Sequence, residues 1–267
     1  MITHTSDNRE IYYRTKGTGP ELLFVHGGSG ALFPELVEVL SQQYSCTSFS
    51  RLGWGRSTHL DRDTTVEEQV AAIGAVHNSV TSAPVWVFGY SSGGNFALAY
   101  AVAHPDRVKG LILVEPALFA IYPRKPQEVE RMQEAMPLFK QGQIEEGWDI
   151  GFQEAIFGVP LNSSVRWPPL PRTEANLEMM RSFGYDQPVV ITECPELNQV
   201  TQPVLIIRGD QGPPVIWTIS DLLDGQLSNS NLIILEGQSH GMPFAAPELV
   251  AKELTTFISE CESRENP

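Results

Sequence analysis

The chain of 267 residues, 42% of them hydrophobic, is long enough to bury a full core as one domain with room for an insertion. Eighteen basic residues against thirty-two acidic ones leave a net charge of −14, which repels nucleic acid and anionic membrane surfaces and excludes both as expected partners. Three widely spaced cysteines, Cys46, Cys194 and Cys261, argue against a disulfide framework or zinc cluster, and neither H-E-x-x-H nor G-x-G-x-x-G occurs, so no metal and no dinucleotide cofactor is expected.

The N terminus, Met1-Ile2-Thr3-His4-Thr5-Ser6-Asp7-Asn8, has neither the basic region nor the apolar stretch of a secretory signal, and no apolar run reaches spanning length. A cytoplasmic location is the expectation. Residues 10–14 read as a leading strand, and Gly17-Thr18-Gly19-Pro20 is a turn before the apolar strand Leu22-Leu23-Phe24-Val25. The loop His26-Gly27-Gly28-Ser29-Gly30 is poor in side chains, so it exposes backbone N–H groups as an oxyanion hole requires; Gly28 is the candidate donor. Residues 33–43 carry the helical stripe Phe33, Leu36, Val37 and Leu40, and 45–49 form the next strand. Arg51-Leu52-Gly53-Trp54-Gly55-Arg56-Ser57 reads as a structural loop, with Trp54 reaching a pocket as the alternative. Val66, Val70, Ile73, His77 and Val80 mark one face of a long helix, on which His77 is expected to be packed and not catalytic.

Val85-Trp86-Val87-Phe88-Gly89-Tyr90-Ser91-Ser92-Gly93-Gly94 joins a buried strand to a helix through a serine flanked by glycines, the form of a nucleophile elbow. Ser91 is the candidate nucleophile, and the Ser92 N–H, at a helix start, the second oxyanion donor. A further buried strand, 110–114, runs directly into Glu115. Strands alternating with helices imply a parallel sheet, whose strand C-termini line the crevice, so Glu115 shares a rim with Ser91. Residues 117–202 break this rhythm with prolines and scattered aromatics and are expected to form a helical lid, leaving 1–116 and 203–267 as the core. Strands resume at 203–207 and 231–235, and 247–260 close the chain as a helix. His240 lies in the loop between the last two, where a near-neutral pKa suits it to take the Ser91 proton. Ser29 and Phe33 near the glycine loop, Trp148, Phe152 and Trp167 in the lid, and Met242 and Phe244 beside His240 are the expected substrate-binding residues.

With His26-Gly27-Gly28, Gly53-x-Gly55-x-Ser57, Gly89-Tyr90-Ser91-Ser92-Gly93-Gly94 and His240 in this order, the sequence resembles the α/β-hydrolase superfamily everywhere except the lid. The resemblance implies an α/β fold with a mostly parallel central sheet flanked by helices, the lid inserted after strand 110–114. It also implies a Ser-His-acid triad. Most relatives carry the acid in a G-x-x-D pattern after the strand at 204–207; here Gly209-Asp210-Gln211-Gly212 puts glycine there. Either Asp210 substitutes, or Glu115 is the acid, as in relatives whose acid follows the preceding strand. Glu115 is favoured. Its position, the elbow and the chain length resemble the zearalenone lactonases within the superfamily. A second departure is Ser50, where many relatives carry aspartate. The implied activity is cleavage of a small apolar or aromatic ester or lactone through an acyl-enzyme. Carbon–carbon bond hydrolysis and a slow-turnover small-molecule receptor are the alternatives.

Overall fold

The computed structural model describes residues 1–30, 32–123, 126–154 and 172–265. Its centre is an eight-stranded sheet in the order β1-β2-β4-β3-β5-β6-β7-β8. The strands are β1 (Ile2–His4), β2 (Glu10–Lys16), β3 (Glu21–Val25), β4 (Ser45–Phe49), β5 (Val85–Tyr90), β6 (Val108–Val114), β7 (Val204–Gly209) and β8 (Ser230–Leu235). β1–β2 and β2–β4 pair antiparallel, and every other neighbour pair is parallel. The short β1 carries too few residues to announce itself by alternation; it is held by pairing Ile2 with Tyr12.

β3, β5 and β6 are near-continuous apolar runs because helices cover both faces. All six residues of β5 are buried. One face packs α1 (Pro34–Leu40), α8 (Met242–Ala245) and α9 (Pro247–Glu265) through Phe24, Phe33, Phe88 and Leu254. The other packs α2 (Val66–Val80), α3 (Ser92–Ala103) and α7 (Pro214–Gln226). Thr65 and Glu68 form a reciprocal capping box that fixes where α2 begins. On α2, His77 is buried with Nδ1 against the Tyr100 hydroxyl at 2.7 Å and Nε2 against the Ala83 carbonyl at 2.8 Å, a packed histidine held in the core.

Between the adjacent strands β6 and β7 the chain inserts α4 (Pro126–Lys140), α5 (Ile144–Trp148), a π-helical turn over Asp149–Glu154 and α6 (Glu174–Thr192). α4 and α6 pack together, and their apolar sides join the core over α3, which explains why nearly every residue of α3 is buried. Among the described residues no helix is long and apolar enough to cross a membrane.

Chain direction reverses its lateral progress at β3: β4 lies on one side of it and β5 on the other. Such a switch point leaves a crevice beyond the strand C-termini, because the loops leaving β3 and β5 diverge to opposite faces. Those two loops carry Gly28 and Ser91.

Candidate active site

At the end of β5 the chain turns into α3 through Ser91, whose φ of 53° and ψ of −126° place an L-residue where side chains are strained. The turn closes so tightly that a Cβ on Gly93 would lie 2.2 Å from the Val25 carbonyl oxygen, so only glycine fits there. The Ser91 carbonyl accepts from Gly94 N and Ala117 N, both at 3.0 Å, which pins the elbow to the start of α3 and to the segment after β6. The side-chain oxygen is thereby held above the sheet edge.

Glu115 follows β6 with a φ of 45°, a second strained non-glycine residue on the same rim. Such a conformation costs about 1–3 kcal/mol and persists only where surrounding bonds over-determine it. Its carboxylate is fully buried, with Oε1 accepting from Gly209 N at 2.9 Å and Oε2 2.7 Å from His240 Nδ1. His240 Nε2 is 3.2 Å from Ser91 Oγ. With Nδ1–H donated to Glu115, the free lone pair of Nε2 faces the serine, and the imidazole can accept its proton. Asp210 is directed elsewhere: Oδ1 accepts from Gly237 N at 2.7 Å in an exposed loop. A Cβ on Gly212 would lie 3.2 Å from Glu115 Oε1, so the Glu115 carboxylate fills the room that a side chain at 212 would need.

Tyr90, beside the serine, donates its hydroxyl to the His240 carbonyl at 2.8 Å, and its ring lies 5.0 Å from the imidazole. Burial first, then the Glu115 charge, raise the phenol, which keeps it a donor. The loop bearing His240 is thus held by the elbow itself.

Beneath Gly27 and Gly28, His26 is fully buried. Its Nε2 accepts from Arg51 N at 2.9 Å, so its proton sits on Nδ1 and is donated to the Gly27 carbonyl at 2.7 Å. Burial, then the Arg51 charge, push this imidazole well below 6.5. His77 is lowered too, by burial first. Below 6.5 the unfolded chain takes up protons that the folded chain refuses, so the stabilisation is complete above that value and is lost as pH falls toward the folded values. The melting temperature should therefore drop between about pH 7 and 5.5, above the carboxylate range. Calorimetry showing a flat or rising melting temperature on acidification contradicts this.

A cavity of about 230 Å³ opens over Ser91. Gly28, Ser92 and His240 line it, with Ser239 beside them. Ser92 is the first residue of α3, so its N–H has no partner within the helix and points out of the helix end. Much of the remaining wall comes from residues that sequence reasoning did not single out: Phe119 after Glu115, Phe183 and Gln187 on α6, and Gln211, Pro213 and Ile216 around the start of α7. Phe183 and Gln187 stand four apart and so share one face of α6. Phe183 lies against the glycine loop, since a Cβ on Gly28 would be 2.7 Å from its ring.

The described ones among the substrate-binding residues expected from sequence do not line this cavity. Phe33 is fully buried among Phe24, Phe88 and Tyr90 and stacks on Phe244 at 5.5 Å, while Met242 joins the same core. Ser29 is exposed beyond the cavity wall, and Trp148 is half-buried on α5. Trp167 and the side chain of Phe152 lie outside the described residues.

If the Phe183 ring bounds the acyl side, Phe183→Ala should raise the preference for long over short acyl esters by about tenfold or more, the scale of one or two methylenes in an apolar pocket. The check is the ratio of kcat/KM values for a C8 and a C2 ester. An unchanged ratio removes Phe183 from the substrate wall.

A family model for the alpha/beta hydrolase fold matches residues 20–247. The chain is 24% identical over 271 aligned positions to an (E)-2-((N-methylformamido)methylene)succinate hydrolase of Acinetobacter baylyi, covering 97% of this chain and 98% of that one. Among solved structures it is similar to an alpha/beta hydrolase from Sphaerobacter thermophilus, with a TM-score of 0.74, 21% identity, and 97% and 100% of the two chains covered. It is also similar to Est816, described as an N-acyl homoserine lactone degrading enzyme, with a TM-score of 0.72, 18% identity, and 96% and 99% covered. The strand order, the helices inserted between β6 and β7, and a match running from before β3 to α9 leave one assignment: the chain is an enzyme belonging to the α/β-hydrolase family.

Proposed function

We propose that this hydrolase cleaves a carboxylic ester or lactone of an uncharged, largely apolar acid through an acyl-enzyme on Ser91. The observation that carries the reading is the hydrogen-bonded line Glu115–His240–Ser91 opening onto a cavity whose wall is mainly apolar. His240 takes the Ser91 proton as Oγ attacks the carbonyl carbon. The N–H groups of Gly28 and Ser92 receive the oxyanion, and each such donor contributes about 10²–10³ in rate. Collapse of the tetrahedral species breaks the bond to the alcohol oxygen, which leaves with the proton from His240. Water then gives a proton to His240, attacks the acyl carbon and releases the acid, returning Ser91 to its starting state.

The uncharged-acid part of the reading rests on the wall. Among the described residues lining the cavity, His240 is the sole ionisable side chain, and none of them is a lysine or arginine. A succinate derivative such as the one named for the Acinetobacter relative carries carboxylates that would need a cation in place of Phe119, Phe183 or Ile216. A lactone is an ester closed into a ring and would be opened by the same steps, and zearalenone is the macrolactone to try.

The experiment is chromatographic turnover of p-nitrophenyl butyrate, an aryl hemisuccinate and zearalenone, with Ser91→Ala as control. The neutral ester should be cleaved, and the hemisuccinate at least about tenfold more slowly, since an unpaired charge in an apolar wall is costly. Equal rates remove the uncharged-acid reading. Carbon–carbon hydrolysis would show as a ketone substrate cut at the bond beside its carbonyl. A receptor would label once and turn over little.

A further inference from the structure

Arg51 and Asp186 form a fork-to-fork ion pair inside the protein, with Nη1 donating to Oδ1 at 2.7 Å and Nη2 to Oδ2 at 2.8 Å. The side chains are 0% and 1% exposed. Arg51 belongs to the loop after β4, and Asp186 to the inserted helix α6. Each partner is also tied to a part of the active site. Arg51 Nε donates to the His26 carbonyl at 2.8 Å, and its N–H to His26 Nε2, at the root of the glycine loop. Asp186 Oδ2 accepts from Nε2 of Gln187, which lines the cavity, at 3.0 Å. One turn earlier on α6 stands Phe183, whose ring rests on Gly28. Gln69 Nε2 completes the Asp186 shell at 3.2 Å, and the guanidinium lies 4.6 Å from the Phe96 ring.

Stability alone is a weak reason for such a pair. Removing both charges from water costs several kcal/mol per ion, and apolar pairs of similar volume are often as stabilising or more so. What a bidentate pair supplies and an apolar contact does not is a fixed register and rotation. Here the register fixed is that of α6 over residues 26–28.

We infer that Arg51 and Asp186 are positioning residues for the reaction, a clamp that sets the glycine loop and the inserted helix in one geometry so that Gly28 N–H, Phe183 and Gln187 meet the acyl group together. The pair touches no reacting atom; it acts through His26 and α6. This inference rests on the ester-hydrolysis reading for its kinetic effect, though not for the mechanical coupling.

Two kinds of measurement test it. In the wild-type protein, amide hydrogen exchange should show residues 26–28 and 183–187 opening as one unit, and Asp186→Asn should speed exchange in both. Independent opening of the two segments overturns the clamp whether or not any ester is turned over. Asp186→Asn, Arg51→Lys and the apolar double variant Arg51→Met/Asp186→Leu are then compared by kcat, KM and melting temperature on p-nitrophenyl butyrate. Each variant that folds should lose about 10–100-fold in kcat with KM changed far less, the scale of an ångström-sized misplacement at the reacting centre. The double variant is decisive, because it restores burial without the fork. Wild-type kcat in that variant would mean the pair only fills space. If wild-type protein cleaves no ester while the segments still open together, the functional reading fails and the clamp stands.

Discussion

Ser91→Ala should lower kcat for the neutral ester by about 10⁶-fold while leaving the fold intact, the scale seen when a serine nucleophile is removed from a working triad. The structural reason is specific. Ser91 Oγ is the side-chain atom brought to His240 Nε2, at 3.2 Å, and the backbone strain that holds it there has no other evident use. The methyl group of alanine occupies the same space as Cβ of serine, so neither the elbow nor the closeness of Gly93 to Val25 changes. The melting temperature should hold, because the strained backbone at 91 is the same with either residue. Turnover by Ser91→Ala within about tenfold of wild type would remove the acyl-enzyme from the account.

Glu115→Gln is the second large effect, an expected loss of about 10⁴ in kcat. Both carboxylate oxygens are committed, one to Gly209 N–H and one to His240 Nδ1, and an amide can satisfy only one of them as an acceptor. If the amide nitrogen faces His240, it donates to Nδ1 and forces the proton onto Nε2, which can then no longer accept from Ser91. If it faces Gly209, two donors meet in a fully buried place, which costs about 1–3 kcal/mol. Asp210→Asn should leave kcat within about threefold, since an asparagine oxygen can still accept from Gly237 N in that exposed loop and such surface changes are usually small. The pair of variants is read together by steady-state kinetics and circular dichroism. Loss of activity in Asp210→Asn with Glu115→Gln intact would reverse the assignment of the acid.

The frame of the enzyme was legible because it is written in local signals. Buried parallel strands announce themselves as runs such as Leu22-Leu23-Phe24-Val25 and Gly110-Leu111-Ile112-Leu113-Val114, and the loops that leave them carry the chemistry. The family model and the strand order establish the α/β-hydrolase fold read from those runs. Ser91, Glu115 and His240 each sit at a strand end or just beyond one, so topology alone brings them to the same rim.

The wall of the cavity was not legible, for reasons that are equally physical. Phe33, Met242 and Phe244 are near Gly28 and His240 in sequence, but Phe33 has a φ of 51° at the start of α1, and α8 follows immediately after the histidine loop. Their side chains turn into the core on the α1–α9 side of the sheet. Phe183 and Gln187 come from a helix roughly ninety residues after the elbow, and only the packing of α6 over α3 brings them to Ser91. Arg51 looked like part of a structural loop because nothing in the sequence links it to Asp186, 135 residues away. Long-range pairing of buried charges leaves no periodic trace.

Intact-mass analysis during turnover of p-nitrophenyl butyrate, quenched in acid and followed by peptide mapping, tests the central claim most directly. The account predicts a butyryl adduct on the peptide containing Ser91, formed at the rate of the p-nitrophenol burst and absent in Ser91→Ala. Ester turnover with no adduct, or with an adduct on another residue that persists in Ser91→Ala, would contradict it.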